Sequence, residues 1–110
     1  MRRLLLAAVL VVNAADGVPD VRITVRPLVS MYGHDVRIEC AVAPDPMNRW
    51  VALGVDGFSR SIVQLDPNEV QRVSRTVKEP PCGEQTAFCI LVRTGNWERR
   101  VQQPLTVVCQ

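Results

Sequence analysis

The chain has 110 residues, a formal net charge of +2 and 47% hydrophobic residues, with aromatic side chains at only 5%. That length suits one domain with one core. The near balance of charge excludes the strongly basic surface that nucleic acids and anionic membranes select, and four cysteines in so short a chain point to disulfides in an oxidising compartment.

The first element is a leader. Met1-Arg2-Arg3 makes a positive start, Leu4 to Val12 is an unbroken apolar run, and small residues follow at Ala14 and Ala15. This is the pattern of a signal peptide over residues 1–15. The run is much shorter than the ~20 residues that a membrane-spanning helix needs, and Asn13 and Asp16 end it. Removing the leader takes Arg2 and Arg3 with it and leaves eleven basic against eleven acidic side chains. The expectation is a near-neutral domain over residues 16–110, secreted or periplasmic, with no nucleic-acid partner and no membrane span once the leader is gone.

Asp20 to Arg26 alternates, with Val21, Ile23 and Val25 on one face, as a half-buried strand does. Pro27 ends it. A turn at Tyr32-Gly33-His34-Asp35 leads into Val36 to Val42, where Val36, Ile38, Cys40 and Val42 share a face. Pro44-Asp45-Pro46 breaks the chain into a loop. Arg49 to Val55 is the next strand, Asp56-Gly57 a turn, Ser61 to Leu65 a strand, Asp66-Pro67-Asn68 a turn, and Glu69 to Val77 a polar strand. Pro80-Pro81-Cys82-Gly83 is a loop. Thr86 to Arg93 is the most apolar strand, and Gly95-Asn96 turns it into Arg99 to Val108. About seven short strands, spaced by turns and without a helical stripe, define an all-β sandwich.

Cys40 on the second strand, Trp50 on the third and Cys89 on the sixth resemble, in their order, the immunoglobulin-like superfamily. The resemblance covers nearly all of residues 16–110. It implies a compact Greek-key sandwich in which Cys40 is bonded to Cys89 across the two sheets and Trp50 packs on the bridge. Ile38, on the same strand face as Cys40, joins that core. The position two residues before the second cysteine, usually tyrosine in the family, is Ala87, which argues against an antibody or cell-receptor domain. No N-x-S/T sequon occurs, which fits a bacterial or phage-encoded member.

A second bridge follows from the last hairpin. If Gly95-Asn96 is a two-residue loop, Thr94 faces Trp97, and counting outward brings Cys82 opposite Cys109, within disulfide reach. The same count puts Val101 opposite Ile90.

Catalysis has little to draw on. The sole histidine, His34, lies in a turn with Tyr32 and Asp35, and there is no G-x-S-x-G and no glycine-rich phosphate loop. A zinc site would use close ligand pairs such as C-x-x-C, whereas six residues separate Cys82 from Cys89. Asp66, Asn68 and Glu69 offer too few oxygens for a calcium cage and read as a turn. No catalytic residue, metal or cofactor is expected, and the chain is not expected to be an enzyme.

Binding is the better prospect. With Trp50 inward, Val51, Leu53 and Val55 point outward, and with Cys89 inward, so do Phe88, Ile90 and Val92. Val101 joins them. A half-exposed antiparallel strand normally shows one polar face, so three neighbouring strands with an apolar outer face mark an interface. Arg93, Arg99 and Arg100 surround Trp97, which makes Trp97 and Arg99 candidate loop contacts; the plainer reading is a hairpin whose Trp braces the turn. These features describe an exported, non-catalytic binding module that self-associates or takes a protein partner through its sheet face or loops. Two other readings fit the same residues: a structural accessory domain of an envelope or virion assembly, and an inhibitor of an extracellular hydrolase.

Overall fold

Strands with one apolar face need a second layer to cover that face. The computed structural model, which describes residues 20–67 and 71–109, shows how the layers are assembled. The leader and the first residues after it lie outside the described residues, as do Asn68 and Glu69. The described residues form eight strands: β1 (Val21–Arg26), β2 (Val29–Met31), β3 (Val36–Val42), β4 (Asn48–Val55), β5 (Ser59–Gln64), β6 (Gln71–Val77), β7 (Gly83–Arg93) and β8 (Trp97–Val108). One sheet has the order β1-β3-β6 and the other β2-β8-β7-β4-β5. The chain crosses between sheets from β1 to β2 and back to β3, then from β3 to β4, back from β5 to β6, and again from β6 to β7. This is the Greek-key connectivity of an immunoglobulin-like sandwich.

The strand beyond the expected seven is β2. Three residues between Pro27 and a turn are too few to show alternation, so nothing in the local pattern announces them. The chain leaves β1 at Arg26-Pro27, a cis peptide, and β2 then pairs parallel with β8 of the other sheet.

The core is built from the inward residues of both sheets. Val36, Ile38, Cys40 and Val42 of β3 face Val51, Leu53 and Val55 of β4 and Ala87, Cys89 and Leu91 of β7, all buried. Cys40 and Cys89 are bonded, with Cα atoms 6.0 Å apart, and both are fully buried. Cys82 and Cys109 form the second bridge, with Cα atoms 5.6 Å apart. It joins segments just beyond the last ladder pair, Gly83 with Val107.

Two expectations about facing are corrected. The first concerns β4. In an antiparallel ladder, directly opposed residues share a face. Leu53 stands opposite Cys89, and Val51 and Val55 stand opposite Leu91 and Ala87. Val51, Leu53 and Val55 therefore follow Cys89 into the core, and Trp50, opposite Val92, is turned to the outside. Ile38 is fully buried as a core residue, but Trp50 is only half-buried and does not pack on the bridge. The second concerns the last hairpin. The closing pair is Arg93 with Trp97, so three residues make the turn: Thr94, Gly95 and Asn96. Gly95 and Asn96 both have positive φ, a conformation these two residue types tolerate best. The longer loop shifts the count by one. Val101 stands opposite Cys89 rather than Ile90 and packs against the core.

The two bridges close loops of 49 and 27 residues, which a loop-entropy model rates at about 4 and 3.5 kcal/mol. Burial separates them further, since the Cys82 and Cys109 residues are exposed. Replacing Cys40 and Cys89 by Ala opens a void beside Leu53 and should cost at least about 1 kcal/mol more than replacing Cys82 and Cys109. Urea unfolding of the two double variants measures this, and equal losses would contradict it.

Candidate interaction surface

The outer face of the five-stranded sheet is set by the same register. Its rows read across β5, β4, β7 and β8. Gln64, Trp50, Val92 and Glu98 form one row; Ile62, Ala52, Ile90 and Arg100 the next; Arg60, Gly54, Phe88 and Gln102 a third. The first two rows carry a contiguous apolar patch. Ile62 is 60% exposed, and Trp50, Ile90 and Val92 beside it are half-buried.

Phe88, in the third row, is only 3% exposed although it lies on the outer face. The Arg100 guanidinium lies 4.9 Å from its ring centre and that of Arg60 6.0 Å away. Cation–π attraction holds such planes over a ring. Arg100 is held there by its Nη2, which donates to Asp56 Oδ2 at 2.6 Å, and by its Nε, which donates to Gln102 Oε1 at 3.1 Å. Gly54 keeps the same row flat, because a Cβ there would meet the Ser59 carbonyl oxygen at 2.1 Å.

At the other end, a shallow depression of about 400 Å³ is lined by Trp50 and Val92 together with Arg49, Gln64, Thr94 and Asn96, among others. Arg49 and Arg60 have no carboxylate partner among the described residues, so two unneutralised guanidinium groups border the patch.

Of the expected interface residues, Phe88, Ile90 and Val92 lie on this face, with Phe88 roofed by arginine. Val51, Leu53, Val55 and Val101 belong to the core side. In their place stand Trp50 and Ile62, with Ala52 fully buried in the row between Ile62 and Ile90. The signal that identifies them is the pairing of β4 with a β7 whose Cys89 points inward.

Trp97 and Arg99 are engaged in bracing. The Arg93 guanidinium lies 4.3 Å from the Trp97 ring centre and that of Arg99 5.5 Å. Arg93 Nη2 contacts Asp20 at 3.1 Å and Asp45 at 3.7 Å, and its Nε donates to Asn48 Oδ1 at 2.9 Å. Asn48 in turn donates to the Ala43 carbonyl at 2.9 Å. Arg99 reaches Asp20 at 3.6 Å. This cluster ties the β7–β8 hairpin to the start of β1 and to the β3–β4 loop.

The outer face of the three-stranded sheet differs in kind. Arg22, Arg26, Arg37 and Arg72 surround Glu39, which pairs with Arg72 at 2.9 Å. Tyr32, His34 and Asp35 occupy an exposed turn, where Asp35 Oδ1 accepts a bond from the Glu79 amide. Among the described residues no three His, Cys, Asp or Glu side chains gather as a metal site, and no cysteine is free. Nor is any helix there long and apolar enough to cross a membrane.

No family model matches the chain, and no curated protein is significantly similar to it in sequence. Solved structures do match. The sulfur carrier protein SoxY from Chlorobium limicola f thiosulfatophilum superposes with a TM-score of 0.66 at 15% identity, over 81% of this chain and 79% of that one. A CARDB domain from Pyrococcus furiosus, solved in complex with di-metal ions, superposes with a TM-score of 0.54 at 13% identity, over 84% of this chain and 96% of that one. At such identities the likeness is one of fold, and it places the chain among small β-sandwich domains of immunoglobulin-like shape.

The Arg93 side chain is 13% exposed, and its two carboxylate partners about a third exposed. Arg93→Ala should lower stability by about 2 kcal/mol, since it leaves the buried Asn48 Oδ1 without its donor and takes one partner each from Asp20 and Asp45. Arg93→Lys should recover little of this, because an ammonium lacks the planar fork. Urea melts of both variants check it, and an unchanged midpoint for Arg93→Ala would contradict it.

Proposed function

We propose that the protein is an exported, non-catalytic binding module that takes a protein partner on the outer face of its five-stranded sheet. The observation that carries this reading is the patch formed by Ile62, Trp50, Ile90 and Val92 in adjacent ladder rows, with Ile62 mostly in solvent. A contiguous apolar surface on a small domain is the usual mark of an interaction site. Tryptophan and arginine are among the residues that most often dominate binding energy, and Arg49 and Arg60, with no carboxylate partner among the described residues, stand at its border. The partner that fits is a protein surface with an apolar centre and carboxylates around it. Two disulfides suit an oxidising, extracytoplasmic compartment, in line with the leader-like start of the sequence.

Ile62→Lys is the informative variant. Its side chain is in water in the free domain, so the melting temperature should stay at the wild-type value. In the complex the ammonium would be buried without a partner, and affinity should fall by about a hundredfold or more. Immobilised wild-type and variant domains, exposed to the extracellular fraction of the host, give the comparison. A partner retained equally by both would refute this assignment of the surface.

A further inference from the structure

The two sheets have four edge strands: β1 and β6 in one, β2 and β5 in the other. Natural sheets guard their edges against pairing with another chain in several ways, charged side chains among them. Three of the four are guarded in this way. β1 carries Arg22 and Arg26, β6 carries Arg72 and Arg75, and β5 carries Arg60. β2 carries none, and the whole stretch Leu28-Val29-Ser30-Met31-Tyr32 is uncharged. It is also exposed: Val29 is 64% accessible, and Leu28, Met31, Tyr32 and the neighbouring Val108 of β8 are exposed as well.

The backbone of β2 is half used. The Leu28 carbonyl accepts from the Thr106 amide and the Tyr32 amide donates to the Val108 carbonyl, both on β8. In a parallel ladder alternate residues bond to one neighbour. Leu28, Ser30 and Tyr32 therefore spend their backbone groups on β8, and those of Val29 and Met31 point away from it. The Met31 carbonyl accepts one bond from the His34 amide, which leaves a second lone pair.

Ser30 supplies an independent observation. It is central in β2, only 9% exposed, and its hydroxyl is buried without a hydrogen-bond partner among the described residues. Buried hydroxyls are nearly always satisfied, and an orphan calls for an explanation.

We propose that β2 pairs antiparallel with β2 of a second copy of this chain, about a two-fold axis through Ser30. Val29 and Met31 of one copy exchange both backbone bonds with Met31 and Val29 of the other, so the free edge groups are used in reciprocal pairs. Ser30 then faces Ser30 of the second copy in the non-hydrogen-bonded position, where opposed side chains are nearest, and each orphan hydroxyl gains the other as partner. On the outer face, Val29, Met31 and Val108 of the two copies close over one another. The two five-stranded sheets become one continuous sheet. The contact is smaller than the roughly 1,200–2,000 Å² of a standard interface, so the dimer is concentration-dependent. It lies at the edge opposite Ile62 and stands independently of the proposed partner surface.

Sedimentation velocity of the disulfide-closed protein, from low micromolar to near-millimolar concentration, tests this. The wild type should move from monomer towards dimer. Val29→Lys should remain monomeric throughout while melting, when dilute, as the wild type does. Ser30→Ala should weaken the dimer by about fivefold, the worth of one hydrogen bond, without lowering the melting temperature of the dilute monomer. Ile62→Lys should dimerise as the wild type does. A wild type that stays monomeric to near-millimolar concentration would overturn the proposal, as would a Val29→Lys variant that still dimerises or an Ile62→Lys variant that does not.

Discussion

The disulfide between Cys40 and Cys89 ties the middle strand of one sheet to the middle strand of the other, with Cα atoms 6.0 Å apart. For that bond to form, Cys89 must point between the sheets. β7 is flanked by β4 on one side and β8 on the other, so its facing is imposed on both through their ladders. Leu53 and Val101 stand opposite Cys89 and turn inward with it. Every residue one step away then turns outward: Ala52 and Trp50 on β4, Ile90 on β7, Arg100 on β8. The composition of the exposed face is thus a consequence of one covalent bond inside the core.

The outer surfaces that result divide the work of solubility unequally. The three-stranded sheet presents arginines and Glu39. The five-stranded sheet hides Phe88 under two guanidinium groups but leaves the neighbouring rows open. Arginine thus acts in two ways, capping one aromatic and bordering the apolar patch beside it. At the far end, Arg93 bridges a tryptophan, two carboxylates and an asparagine, and holds the hairpin against the rest of the sandwich. That brace occupies Trp97 internally and leaves Trp50 as the tryptophan on the open face.

Much of the fold was legible from residues alone. Alternation marked β1 and β3, proline and glycine punctuated the chain, and the cysteine pattern implied two sheets with a bridge between them. The facing of β4 was not legible. Both of its faces are apolar, with Val51, Leu53 and Val55 on one and Trp50, Ala52 and Gly54 on the other, so period-two alternation carries no information there. Only the partner strand decides, and the family resemblance put Trp50 on the wrong side. The length of the last hairpin loop is illegible for a similar reason. Counting from a two-residue loop misplaced Val101 by one, and one residue reverses a side chain in a sheet. β2 is not legible in the sequence because three residues cannot show a period. The patch residue Ile62 lay within a strand that was recognised, but its importance depends on β5 lying beside β4 on the outer face.

The facing of β4 is therefore the central claim, and oxidative footprinting of the native protein by mass spectrometry tests it most directly. Hydroxyl radicals label side chains in proportion to their contact with water. The structure predicts strong labelling of Ile62, clear labelling of Trp50, and protection of Val51, Leu53 and Val55 until the protein is unfolded. Labelled Leu53 with a protected Trp50 in the folded state would contradict it, and would reverse the assignment of the outer face.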